Sequence, residues 1–190
     1  MSMFHELMMK KKGGGEVTGY IEASGGAYIN LTGIPLIVPG DTFSCTFQIP
    51  NLDTAGSSET GYIFGYQTGS MSGSVLYGTG YGAKGFFGIF GSSYTTLSSL
   101  TPINSKLTYG RTAGAVLSDA NTIWLFASNY SGGEYSNITI RFWNLSYFRS
   151  DEKIIDLVPA IENGVAGVKD LISGNFYGKS GSGTITFVPE

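Results

Sequence analysis

Acidic side chains are the first candidates for chemistry in this chain, and their spacing argues against catalysis. A glycosidase holds two carboxyl groups across one sugar bond, ~5–5.5 Å apart in a retaining enzyme. On a strand such a pair falls at i and i+2 or i and i+4. The acidic residues include Glu22, Asp41, Asp53, Glu59, Asp119, Glu134, Asp151, Glu152, Asp156, Glu162 and Asp170, and no Glu-x-Asp-x-x-Glu run occurs among them. Asp151 and Glu152 are neighbours, which on an extended chain face opposite ways. Asp156 and Asp170 stand among turn residues, where an aspartate commonly caps backbone N–H groups. The reading is a protein that is not an enzyme, with no catalytic residue assigned.

The other reactive residue types point the same way. Cys45 is the only cysteine and His5 the only histidine. A zinc site within one chain needs more ligands than these, and no intrachain disulfide can form. Cys45 lies in the strand-like run Thr42-Phe-Ser-Cys-Thr-Phe-Gln48, so it reads as a buried structural thiol. Calcium takes six to eight oxygen ligands. Asp119 with Asn121, or Asn129 with Glu134, would supply some of them, but no dense Asp/Asn loop supports a calcium site. Gly78-Thr-Gly-Tyr-Gly-Ala83 lacks the lysine and the following helix of a phosphate-binding loop. No cofactor is therefore expected.

Sugar binding survives this elimination. Sugars are held by aromatic rings against their C–H faces and by hydroxyl and amide hydrogen bonds. Loops rich in Tyr, Ser, Gly and Asn supply both at low entropic cost. Tyr81, Tyr94, Tyr130 and Tyr135 stand in such segments and are the candidate glycan-binding residues. Trp124 and Trp143 lie in strong strand patterns, so core packing is the preferred reading for both.

Composition fits such a surface. Aromatic residues make up 14% of the chain and charged residues only 13%, about half the usual ~25%. Ser, Thr, Asn, Gly and Tyr must then form much of the exterior. The net charge of −3 leaves no basic footprint, so nucleic acid is a poor partner. No apolar run approaches the ~18 residues of a membrane span. Met1-Ser-Met-Phe-His-Glu precedes the lysines, which reverses the charge order of a signal peptide, and none is read.

Two elements must position these residues. The first is residues 1–15. Phe4, Leu7 and Met8 fall at i, i+3 and i+4, with Met1 one turn earlier, and Lys10, Lys11 and Lys12 follow. This spacing predicts a short amphipathic helix with cations at its C-terminal end, where they complement the helix dipole. Twelve residues are marginal alone, so the segment would order by docking on something larger, as an anchor. Gly13-Gly-Gly15 forms a flexible joint.

The second element is a domain over 16–190. After the hinge the pattern has period two, with no sustained helical period. Phe43, Cys45, Phe47 and Ile49 alternate with Thr42, Ser44, Thr46 and Gln48, predicting a strand with one buried and one wet face. Val17–Glu22 and Ala27–Leu31 read as strands joined at Ser24-Gly-Gly26. The closing segment is densest in signals: a strand run over Asn137–Phe148, then Ile154–Ala160, then turns and hairpins to Phe187. Many short strands with regular turns predict an all-β antiparallel two-sheet sandwich or jelly roll.

Two stretches carry a family resemblance. Tyr20-Ile-Glu-Ala-Ser-Gly-Gly-Ala-Tyr-Ile-Asn30 resembles the opening strand pair of concanavalin A-like (laminin-G-like) sandwich domains found in tail and surface proteins of bacterial viruses. Asp156-Leu-Val-Pro159, Gly164-Val-Ala-Gly167, Asp170, Ser173-Gly-Asn-Phe-Tyr177 and Gly181-Ser-Gly183 resemble their closing strands and hairpins. Leu157 and Lys169 depart from the aromatic and Tyr common at those positions. The helix–glycine–sandwich layout is similar to attachment peptides of phage fibre and decoration proteins. The resemblance implies a virion surface protein, on the tail as a fibre or receptor-binding module or on the capsid as a head fibre or decoration. Its partners would be other virion structural proteins through residues 1–12 and host or mucosal glycans. A homotrimer is the oligomer that fibre proteins often form. The alternatives are a free bacterial glycan-binding lectin and a divergent glycoside hydrolase.

Overall fold

A computed structural model of the protein describes residues 18–35, 38–50, 61–65, 74–78, 85–90, 93–96, 105–112, 123–128, 134–135 and 138–190. The helix and hinge expected over residues 1–15 lie outside these. Every regular element among the described residues is a strand. In chain order they are β1 (Gly19–Ser24), β2 (Ile29–Asn30), β3 (Thr42–Gln48), β4 (Gly61–Gly65), β5 (Ser74–Gly78), β6 (Gly85–Phe90), β7 (Ser93–Thr96), β8 (Leu107–Thr112), β9 (Trp124–Leu125), β10 (Ala127–Ser128), β11 (Glu134–Tyr135), β12 (Ile140–Arg149), β13 (Glu152–Glu162), β14 (Val165–Asp170), β15 (Phe176–Gly178) and β16 (Thr184–Pro189).

The strands form an eight-stranded sheet, a six-stranded sheet and the small pair β10–β11, with antiparallel pairing throughout. The larger sheet is organised around β12. One edge of β12 pairs with β3, which pairs in turn with β8. Its other edge is shared. Ile140–Phe142 pair with β1, and Leu145–Arg149 pair with β13. The sheet forks there, one branch running to β16 and the other through β14 to β15. β13 leaves β12 after Leu157, so Pro159 pairs only with Val168 of β14. A residue without an N–H is tolerated where one strand edge carries no ladder.

Alternation fixes the inner face. Ile21, Phe43, Cys45, Phe47, Phe142, Leu145 and Tyr147 of the larger sheet are buried in one cluster with Ile29, Phe64 and Leu125 of the smaller. Phe43 meets Phe64 edge-on at 5.2 Å, and Phe126 meets Phe142 at 5.9 Å. Burying each such ring contributes about 2–3 kcal/mol. The result is a sandwich-like all-β arrangement with its core between the sheets. Cys45 is fully buried there, and burial pushes its thiol up, as expected of a structural cysteine.

Turn chemistry sets the register. Ser150 and Asp151, both at positive φ, join β12 to β13, and Asn163 and Gly164 do the same between β13 and β14. Two-residue hairpins favour this geometry because its twist matches that of the strands. Asp170 closes the next turn. It accepts hydrogen bonds from the backbone N–H groups of Asp156 (2.9 Å), Ile172 (3.1 Å) and Ser173 (3.3 Å) and from Ser173 Oγ (2.7 Å). It is buried, and these bonds outweigh the burial that opposes them, holding its carboxyl below the usual range. Its role as a cap thus matches the sequence reading.

Two expectations are corrected at Gly25 and Gly26. The strands on either side are not a pair: β1 lies in the larger sheet and β2 in the smaller, so the turn carries the chain between sheets. Gly181-Ser-Gly183 is not a hairpin turn either, because β15 pairs with β14 and β16 with β1. Instead the two glycine turns are pressed together. A Cβ on Gly183 would overlap the Ser24 carbonyl and come within 2.5 Å of Ala27 N. Tyr28 and Ser180 exchange backbone hydrogen bonds of 3.1 and 2.7 Å across this seam. Local turn signals name such residues but not their distant partners.

Candidate functional site

The outward face of the larger sheet follows from the same alternation. Where Ile21, Phe47 and Phe142 point inward, their neighbours Tyr20, Glu22, Gln48 and Arg141 point outward. Further along lie Thr46 with Thr108 (Oγ1–Oγ1 2.9 Å) and Ser146, which donates to Asp156 Oδ1 at 2.7 Å. The face is a field of hydroxyls, amides and paired charges.

Trp143 stands in this field at an irregularity of β12. Phe142 pairs with Phe47 and Asn144 with Thr46, so Trp143 is an extra residue in β12. A bulge of this kind re-aims a side chain and raises local twist. The indole lies 4.9 Å from the Tyr20 ring, tilted by 42°. Its Nε1 donates to Glu190 Oε2 at 3.0 Å. Lys106 Nζ lies over the ring at 4.3 Å and 3.8 Å from the same Glu190 oxygen.

Next to this aromatic pair Arg141 stands 5.2 Å from the Tyr20 ring. Its Nε donates to Glu22 Oε2 at 2.8 Å and its Nη1 to Gln48 Oε1 at 3.5 Å. Both partners of the Arg141–Glu22 pair are about one third exposed, at 32% and 35%. The Glu22 carboxylate is the main reason the Arg141 guanidinium is held above its ordinary value. Carboxylates on this face thus sit beside cations or hydroxyl donors: Glu22 with Arg141, Glu190 with Lys106, and Asp156 with Lys153 and Ser146. Their geometry suits holding, hydrogen bonding and stacking.

The structure relocates several expected site residues. Tyr94 and Tyr135 are not loop residues. Tyr94 lies in β7 opposite Ile89, and Tyr135 lies in β11 opposite Ala127. Tyr and Thr favour pleated backbone, so a Ser/Thr/Tyr stretch beside a strand pairs with it. The two lie in different sheets. Tyr81 and Tyr130 fall outside the described residues, as do Met1, Phe4, Leu7, Met8, Lys10, Lys11 and Lys12 of the expected anchor. Trp143 does not join the core between the sheets, which corrects the expectation for it, while Trp124 packs outside that cluster with its indole nitrogen buried. Trp124 pairs with Asn30 and Gly65 on the face away from Leu125, and stacks on Tyr28 at 4.2 Å. The alternation Thr139, Arg141, Trp143 against Ile138, Ile140, Phe142 would have placed Trp143 outside. No group of three or more His, Cys, Asp or Glu side chains suited to a metal ion occurs among the described residues.

No protein-family model matches this chain, and comparison with curated proteins and with solved structures gives no match either.

Proposed function

We propose that this protein is a non-enzymatic surface module of a bacteriophage virion. In this reading residues 1–15 dock on other virion structural proteins, and a concanavalin A-like jelly-roll sandwich over 16–190 presents a glycan-binding face. The observation that carries the binding half is the outward Tyr20–Trp143 pair at 4.9 Å, framed by side chains that already satisfy one another's charge. Partly exposed rings beside hydrogen-bonding side chains suit the C–H faces and hydroxyls of a sugar. The display half is supported by the amphipathic, lysine-ended head segment before Gly13-Gly-Gly15 and by the resemblance of the opening and closing stretches to virion surface domains.

Two measurements test it. Removing residues 1–15 should abolish incorporation into particles and leave the domain's thermal unfolding unchanged; full incorporation of the truncated chain would end the anchor reading. The full chain should bind glycans on a broad printed array. Binding without particle incorporation would favour a free bacterial lectin. Release of reducing sugar from a bound glycan, lost on substituting one carboxylate, would favour a glycoside hydrolase.

A further inference from the structure

We propose that Tyr20, Trp143 and the Arg141–Glu22 pair form a subsite for one neutral hexopyranose unit, with Lys106 as a displaceable cover on the indole. This inference rests on the glycan-binding reading above. Three features of the face lead to it.

The first is the ring geometry. Tyr20 and Trp143 are tilted by 42° rather than stacked. The pair therefore presents two inclined apolar planes instead of closing on itself. A pyranose offers a patch of axial C–H groups that fits against such a surface. The indole keeps the outward phase of Thr139 and Arg141, and the bulge there shifts the alternation of the residues that follow, so that Leu145 and Tyr147 return to the core.

The second is an unused donor and acceptor held side by side. Arg141 spends Nε on Glu22 Oε2 and Nη1 on Gln48 Oε1. Its Nη2, and Oε1 of Glu22, have no protein partner among the described residues. The ion pair fixes both groups, and both side chains are partly exposed, so the couple faces solvent with hydrogen-bonding capacity left for a ligand. Adjacent sugar hydroxyls, one accepting and one donating, match this couple. Fixing the side chains before the ligand arrives lowers the ordering cost of binding.

The third is charge. Arg141 is matched by Glu22 and Lys106 by Glu190. The Arg141–Glu22 couple stays matched when Lys106 moves, so the groups that meet the sugar hydroxyls carry no net charge. A neutral hexose is the class that fits. Lys106 is half exposed and joined to Glu190 at 3.8 Å. Exposed pairs of this kind hold weakly, so the lysine can swing away and release the indole face.

The test uses the full chain and neutral gluco-, galacto- and manno-oligosaccharides beside sialylated and uronic-acid glycans. The best-bound glycan is then titrated by intrinsic fluorescence and calorimetry, with thermal melts confirming that each variant is folded. Trp143→Ala is expected to weaken neutral-sugar binding about tenfold or more, and Trp143→Phe to keep part of it while losing the fluorescence change. Lys106→Ala is expected to tighten binding about threefold by uncovering the ring. A role confined to packing would not produce that gain. Glycan binding that neither Trp143→Ala nor Lys106→Ala alters would overturn this subsite while leaving the glycan-binding reading intact. Preference for acidic glycans would overturn the neutral class. A chain that binds no glycan at all would overturn both.

Discussion

Among the described residues two tyrosine–tryptophan pairs differ in nearly every respect except residue type. Tyr28 and Trp124 stack at 4.2 Å with ring planes 21° apart, and the indole nitrogen is buried. Tyr28 also bridges to Ser180 beside the two glycine turns. Tyr20 and Trp143 are tilted, and the Trp143 nitrogen donates to an exposed glutamate. The first pair belongs to a seam that fastens the chain's opening turn to its closing one. The second stands on a polar face with a half-exposed lysine across it. An aromatic pair takes its setting from its neighbours: glycine turns and a backbone bridge enclose Tyr28 and Trp124, whereas charged side chains surround Tyr20 and Trp143.

The sharpest test of this contrast is Gly183→Ala. Its Cβ would meet backbone on every side, at Ser24, Gly25 and Ala27, where no side chain can give way. A loss of about 3 kcal/mol is expected in urea unfolding, and wild-type stability would show that the seam is loose. Next, Trp124→Ala should cost about 3 kcal/mol, while Trp143→Ala should cost about 1 kcal/mol. Equal losses in thermal melts would erase the distinction between the pairs.

A smaller effect concerns pH. The Arg149 guanidinium, donating through Nε and Nη2 at 2.9 and 2.7 Å, holds the buried Asp41 carboxyl below its ordinary range. Asp170 is lowered too, by hydrogen bonds that outweigh burial. A carboxyl whose folded value lies below its unfolded one stabilises the fold above the unfolded value. That stability is lost as pH falls through the folded value. Urea midpoints should therefore drop below about pH 4. Asp170→Asn should flatten that fall and lower stability at neutral pH by about 1–2 kcal/mol, whereas Trp143→Ala should leave the slope unchanged. An unaltered acid slope in Asp170→Asn would remove Asp170 from the account.

Much of the all-β character was legible because it is written locally. The alternation from Phe43 to Ile49 and from Ile138 to Phe142 names buried faces directly, and Asn163-Gly164 names its own turn. Asp170 was legible as a cap for the same reason. What stayed hidden depends on partners far along the chain. Nothing near Gly25 says that Gly183 lies against it, and nothing near Ser24 says that β1 and β2 join different sheets. The candidate site was missed for a related reason. Tyr20, Lys106, Arg141 and Glu190 come from four separate stretches, and a strand tryptophan taken alone suggests a core. The loop tyrosines were singled out by composition, which cannot tell an exposed loop from a paired strand such as that of Tyr94.

The pairing of β1 with β16 has a mechanical side. Thr18 and Glu190 exchange hydrogen bonds of 3.0 Å, and β1 runs beside β12 through the Ile21–Phe142 rung, one residue from Trp143. In the proposed arrangement, traction between a tether at residue 18 and a sugar held on Trp143 would pass a short way along β1 and across into β12. The aromatic core and the glycine seam lie off that load path. Tension between the two ends of β1 and β16 would instead open their rungs one at a time, beginning with Thr18 and Glu190. In that arrangement a pull between Thr18 and Trp143 would be borne more stiffly than a pull between Thr18 and Glu190.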